Sequence, residues 1–133
     1  MGIDFGTKKV GIALSDESGK MAFPHSVIKN DPALLKAVVA LIEQEAVGEI
    51  VMGHSVDTDG VENKVHQYAV DFIANLTLQI PIPVHFEPEQ YSTQQAIKMQ
   101  GKNDQVDASA AAIILESYLS KQTEGSVFDE LDN

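Results

Sequence analysis

MGIDFGTKKVGIALSD, residues 1–16, is the stretch whose reading decides the fold. Gly2 to Phe5 is short and apolar except for Asp4. Gly6-Thr7-Lys8-Lys9 has the composition of a turn, and Val10 to Leu14 is apolar with small residues. Two such runs about a short polar turn predict a β-hairpin. An acid inside an apolar strand is costly if it is buried without a partner. Asp4 is therefore expected either to face solvent or to have a cation.

Glu17-Ser18-Gly19-Lys20 predicts a second turn and Met21 to Ile28 a third strand, with Pro24 marking an edge or a bulge. The period then changes. Asp31 is suited to an N-cap and Pro32 to the first helical position. Leu34, Leu35, Val38, Leu41 and Ile42 recur at helical spacing, and Gly48 is the expected stop. Glu49 to Met52 predicts a strand leading into Gly53, and His54 to Gly60 a polar loop. Val61, Val65, Tyr68, Phe72, Ile73 and Leu76 predict one face of a second helix. Past Pro81 and Pro83, Val84 to Phe86 predicts a strand. Ser92 with Gln95 has capping-box spacing for a third helix. After a loop at Gly101 to Asp104, Asp107 to Leu119 predicts a last helix, apolar nearly all round from Ala110 to Leu115 and hence buried. Met21, Met52 and Met99 are expected in the core.

The predicted order is βββ-α-β-α-β-α-α. It gives an α/β domain with a mixed five-stranded sheet, an antiparallel meander plus parallel strands, and helices on both faces. That is a ribonuclease-H-like order with an extra helix near the end. There is no internal repeat and no long linker. One domain is expected over residues 1–121, followed by an acidic, mobile tail at 122–133.

The 133 residues suffice for one core, and 44% are hydrophobic. No apolar run is long enough to span a bilayer, and the start lacks signal-peptide character, so a cytoplasmic chain is expected. With no cysteine, disulfides, thiolate zinc sites and a cysteine nucleophile are excluded. Twenty acidic residues face nine basic ones, all lysine, for a net charge of −11. Without arginine there is no bidentate fork for phosphate. The tail contributes Glu124, Asp129, Glu130 and Asp132, and without these four acids the balance is still about −7. This charge serves solubility and repels nucleic acid at long range.

Three carboxylates stand out by position. Asp4 is on the first strand, Glu89 follows the strand ending near Phe86, and Asp107 opens the last helix. In a ribonuclease-H-like sheet these places converge on one end. Hard oxygen ligands there suit Mg²⁺ or Mn²⁺, and two such ions could drive phosphodiester hydrolysis. Each acid also has an ordinary structural role: Asp107 as an N-cap, Glu89 as a solvated loop acid. Glu87 is the alternative ligand if the motif has slipped by two residues. His54-Ser55 is poor geometry for a nucleophile and its base, and His25, His66 and His85 lack metal-ligand spacing.

GIDFGTKKVGIALSD resembles the opening motif of the YqgF/RuvX family of pre-16S ribosomal RNA nucleases and Holliday-junction-resolvase-like proteins. The likeness continues through EIVMGHSVDTDG and VHFEPEQYSTQQA and ends in VDASAAAIILESYL, a close match to the family's last helix. It covers about residues 1–121; its first and last motifs are specific, and the middle two are degraded. The resemblance implies that Asp4, Glu89 and Asp107 bind metal and catalyse. It implies substrate binding by Thr7, Lys8 and Lys9 in the first turn and by Ser92 and Thr93 in the third motif. It further implies metal-dependent hydrolysis of precursor ribosomal RNA, or of branched DNA, and a cytoplasmic role in ribosome assembly. Some positions depart from the family. Pro88 replaces an aspartate, Gln90 an arginine, Gln105 a lysine and His54-Ser55 a Leu-Pro, and the family's first strand is usually longer. The metal ligands are kept while the groups suited to gripping phosphate are thinned. A catalytically impaired nucleic-acid or protein binding module is therefore the alternative. Gly-Ile-Asp-x-Gly-Thr also resembles the first turn of actin-like ATPases, but those enclose a nucleotide between two such domains. Neither substrate detail nor the choice between monomer and homodimer is legible in the sequence.

Overall fold

The opening hairpin is closed by the backbone. In the computed structural model β1 (Gly2–Phe5) pairs antiparallel with β2 (Lys9–Ser15), Phe5 opposite Val10 and Asp4 opposite Gly11. The Gly6 N–H donates to the Lys9 carbonyl at 3.0 Å. A Cβ on Gly6 would stand 2.6 Å from that same oxygen, so only glycine fits the turn. The structure describes residues 1–54, 64–88 and 105–132; at 54, 64–65, 88, 105–107 and 122–132 it describes backbone alone.

β3 (Ala22–Lys29) completes the meander, followed by α1 (Leu34–Gln44), β4 (Ile50–His54), α2 (Lys64–Gln79), β5 (Val84–Pro88) and α3 (Gln105–Asp132). The sheet order is β3-β2-β1-β4-β5, with β4 parallel to both β1 and β5. This is the expected mixed five-stranded sheet. The opening strand is central, and helices lie on both faces.

Alternation along the strands separates two cores. Ile3, Val10, Ile12, Ile50 and Met52 meet Leu34, Val38 and Ile42 of α1 and Ala69, Ile73 and Leu76 of α2. Ala13 and Val51, on the other face, meet Ala111, Ala112, Ile114 and Leu115 of α3. The second core is built from small residues, so α3 sits close. An ideal Cβ on Gly2 would be 2.6 Å from the Ala111 carbonyl oxygen and 2.8 Å from the Leu115 Cβ. The expected burial of α3 holds, with Ala108 to Ala112 all nearly inaccessible.

Several expectations are corrected in detail. α1 starts at Leu34 with Ala33 at the N-cap and no side-chain cap. Asp31 instead closes a turn ahead of the helix: its Oδ1 accepts from Ala33 N–H and its carbonyl from Leu34 N–H, both at 2.9 Å. Gly48 is not the helix stop. Ala46, at φ 52°, takes the left-handed position, with Val47 N–H donating to the Ile42 carbonyl and Ala46 N–H to that of Glu43. This is a Schellman closure built without glycine. On α2 the buried row runs His66, Ala69, Ile73, Leu76, while Tyr68 is exposed and Phe72 only partly buried. Met21 is exposed rather than core; Met52 is fully buried, and Met99 lies outside the described residues. Pro24 is on the edge strand as expected, beside an irregularity that leaves His25 without an opposite residue on β2. The capping-box helix at Ser92 lies outside the described residues. α3 continues past Leu119, the expected end, to Asp132.

Candidate active site

Asp4 is the third residue of β1, between two that belong to the α1/α2 core. Ile3 is buried there, and the Phe5 ring meets Phe72 with centroids 5.4 Å apart. By alternation Asp4 shares a face with Gly2, the face that α3 covers. It is half-buried and stands opposite Gly11 on β2. On the other side, the parallel register of Ile3 with Met52 brings Gly53 to the next step. Glycines on both neighbouring strands add no side chain of their own beside this carboxylate.

α3 runs antiparallel to β1. Its Tyr118 hydroxyl is 3.4 Å from Glu49 Oε2, and Glu49's carbonyl accepts from the Met1 ammonium at 3.0 Å. Tyr118 therefore marks the end of the sheet where β1 begins, and the start of α3 lies at the end where β1 finishes. Asp107 is the third residue of α3, one turn before the Ala111 that abuts Gly2. Asp4 and the opening turn of α3 thus share one face and one end. β5 also finishes there, with Pro88 in register with His54. Glu89, Ser92 and Thr93 lie outside the described residues, as does the side chain of Asp107. Among the described residues no group of three histidines or acids is placed to hold a metal.

Glu87, the alternative ligand, has another engagement. It is buried; its Oε1 accepts from Ser117 Oγ at 3.0 Å and pairs with Lys121 Nζ on α3. A cation would have to displace this pairing. The histidines are dispersed: His25 bonds Ser26, His85 pairs with Glu49 at 3.2 Å and stacks on Tyr118, and His66 packs edge-on against Phe86.

Thr7, Lys8 and Lys9 form the exposed β1–β2 turn at the Asp4 end. Asn30, just past β3, clamps this turn: its N–H donates to the Lys8 carbonyl at 2.9 Å and its Nδ2 to the Gly6 carbonyl at 2.8 Å. Together with Val27, Lys29 and Asn30 the turn lines a groove of about 600 Å³. Lys29 and Asn30 are the residues that sequence reasoning missed, and only strand register brings them to the turn. A larger cavity of about 940 Å³ opens at the opposite end, between Met1, Asp16, Phe23, Glu49, Tyr118 and Leu119. No sequence-predicted site residue lines it. Burial of the Met1 ammonium there lowers its pKa from 8.0 to about 6, against the nearby charge of Glu49. Among the described residues no helix is long and apolar enough to cross a membrane.

Comparison with known proteins agrees with this architecture. A relative from Maridesulfovibrio salexigens that bears the name "Putative pre-16S rRNA nuclease" is 34% identical over 131 residues, covering 91% of this chain and 97% of the relative. One of the same name from Rickettsia bellii is 31% identical over 128 residues, covering 89% and 83%. Among solved structures, Thermus thermophilus RuvC in complex with a Holliday junction substrate matches with a TM-score of 0.62 at 15% identity, over 92% of this chain and 94% of that one. The fowlpox virus resolvase in complex with Holliday junction DNA gives 0.58 at 11%, over 91% and 96%. At such identities the likeness speaks for the fold, a ribonuclease-H-like one. The family model for RuvX, described as Holliday junction resolvase, matches residues 1–121. With that match and two relatives above 30% identity over most of their length, the chain belongs to the RuvX Holliday junction resolvase family.

Proposed function

We propose that this chain is a metal-dependent nuclease that hydrolyses phosphodiester bonds, acting in the cytoplasm in 5′-end processing of precursor 16S ribosomal RNA. The observation that carries the reading is the setting of Asp4. It is a half-buried carboxylate on the central strand, flanked by Gly11 and Gly53, at the end of the sheet where α3 begins. Asp4, Glu89 and Asp107 are the proposed catalytic and metal-binding residues. Their donor set is three carboxylates, hard oxygen ligands of the kind that suits Mg²⁺ or Mn²⁺, and two ions are the proposed complement. Bound there, the metal would activate water and stabilise the leaving oxygen. Thr7, Lys8, Lys9, Ser92 and Thr93 would bind the substrate's phosphates. The active domain is residues 1–121, with 122–133 as an acidic appendage. The names of relatives favour RNA, and the junction complexes of the structural neighbours keep branched DNA as an alternative substrate. A second reading, a binding module without catalysis, is favoured by Gln90, Gln105 and the absence of arginine.

Calorimetric titration of Mn²⁺ into the wild type, Asp4→Asn and Asp107→Asn tests the site without a choice of substrate. Both variants are expected to bind more weakly. Equal binding by all three, or none by the wild type, rejects the cluster. Cleavage of labelled precursor 16S RNA in Mg²⁺, lost in Asp4→Asn, then tests activity. Metal binding without cleavage selects the binding-module reading.

A further inference from the structure

Three of the nine lysines gather at one end of one sheet face. Lys9 of β2 and Lys29 of β3 are directly opposite each other, and Lys8 is the next residue of the turn. Like charges directly opposite across two strands destabilise a sheet. A chain of net charge −11 has acids in plenty to relieve this. Yet among the described residues neither Lys8 nor Lys29 is ion-paired, whereas Lys121 is tied to Glu87.

The register places this cluster relative to Asp4. Val10 and Ile28 are opposite one another on the α1/α2 side, so Lys9, Gly11, Val27 and Lys29 face the α3 side, as Asp4 does. Asp4, Gly11 and Val27 make one row across three strands. Lys9 and Lys29 make the next row on that face, about 6.7 Å nearer the turn. With strands about 4.8 Å apart, the Cα of Lys9 lies ~8 Å from that of Asp4, and the Cα of Lys29 ~12 Å. Val27 lines the groove beside the lysines, and Gly11, between Val27 and Asp4 in that row, is buried and uncharged. Asn30 holds the turn against the end of β3, so Lys8 is fixed relative to Lys29.

We infer that Lys29 is a phosphate-binding residue. With Lys8 and Lys9 it forms a groove for the phosphodiester backbone of a single strand, which arrives at the Asp4 end of the sheet from the β3 side. The inference rests on the nuclease reading for the role of Asp4 and adds the side from which the strand arrives. Phosphate contacts of this kind fix register without reading sequence.

The test is fluorescence anisotropy of a labelled uridine homopolymer, without divalent metal, over about 50 to 200 mM salt. Each lysine–phosphate contact on a single strand contributes about −0.7 to the slope of log K against log salt. Lys29→Gln is expected to make the slope shallower by about that amount and to weaken binding at every salt concentration. Lys29→Arg should restore both. Lys20→Gln, exposed at the far end of β3, should bind as the wild type does. The inference fails if Lys29→Gln keeps the wild-type slope, or if the wild type shows no salt-sensitive binding. It also fails if adenosine monophosphate competes as well, phosphate for phosphate, as the homopolymer. A protein that binds metal and cleaves RNA while Lys29→Gln keeps its slope upholds the nuclease reading and rejects the groove. Loss of slope in a protein that cleaves nothing does the reverse.

Discussion

Gly2→Ala is expected to be among the most damaging single-methyl additions this chain can receive. The added Cβ would meet the Ala111 carbonyl oxygen at 2.6 Å and the Leu115 Cβ at 2.8 Å. Neither obstacle can rotate away, because one is main chain and the other is fixed to it. Ordinary contact begins at 3.4 Å, so β1 and α3 must separate by about 0.8 Å, enough to forfeit a quarter to a half of each dispersion contact across the seam. The seam is made of Ala13, Val51, Ala111, Ala112, Ile114 and Leu115, with Ala22, Tyr118 and Leu119 packed against it, so the strain is taken up by small, closely fitted residues. Overpacking of this kind costs about 1–3 kcal/mol, and with two immovable obstacles the upper end is expected, near 3. In urea the midpoint should fall with an unchanged m-value, and Tm should drop by roughly 10 °C. Leu115→Ala, which keeps its Cβ, should not rescue the variant. A Gly2→Ala protein within about 0.5 kcal/mol of the wild type would refute the close approach and, with it, the placement of α3 over Asp4.

Two further outcomes are expected. Ala46→Gly should stabilise the chain by roughly 0.5–1 kcal/mol, because the left-handed conformation costs alanine about 1–2 kcal/mol and glycine returns part of this as entropy; an unchanged or lower urea midpoint counts against the Schellman closure of α1. The Asp16 carboxyl should titrate below 3.8 in the folded protein, held down first by the Lys20 N–H and then by the Met21 N–H and Ser18 hydroxyl. Its contribution to stability is then present above the unfolded value and is lost as pH falls through the folded one; an NMR midpoint at or above 3.8 contradicts the closed turn.

The sequence carried the sheet because its signals there are local. Turn residues at Gly6 to Lys9, the proline at 24 and the apolar runs mark out the meander and the later strands in chain order. Where two local devices compete, the sequence pattern alone does not show which one wins. Asp31 looks like an N-cap, but its side chain and carbonyl both serve a turn two residues before the helix. Gly48 looks like a helix stop, yet packing of Val47 on the core places Ala46 in the left-handed position instead. On α2 an aromatic at 68 and a histidine at 66 suggest opposite faces, and the histidine is the buried one. Asp4 was legible because an acid between Ile3 and Phe5 is anomalous. Lys29 was not, because a lysine at the end of a strand is ordinary until register sets it opposite Lys9. Glu87 gave no sign of its pairing, since Ser117 and Lys121 are some thirty residues away in the chain.

The irregularity at His25 has a consequence for how this protein behaves in crowded solution. β3 is an outer strand of the sheet, eight residues long, with Phe23 exposed on it. Such an edge invites another chain to add a strand. Pro24 lacks the N–H a ladder needs, the extra residue at His25 breaks the pleat, and Lys29 places a charge at the strand's end. Three consecutive devices therefore guard one margin, and strand addition to the meander is opposed by the same strand whose terminal lysine flanks the groove.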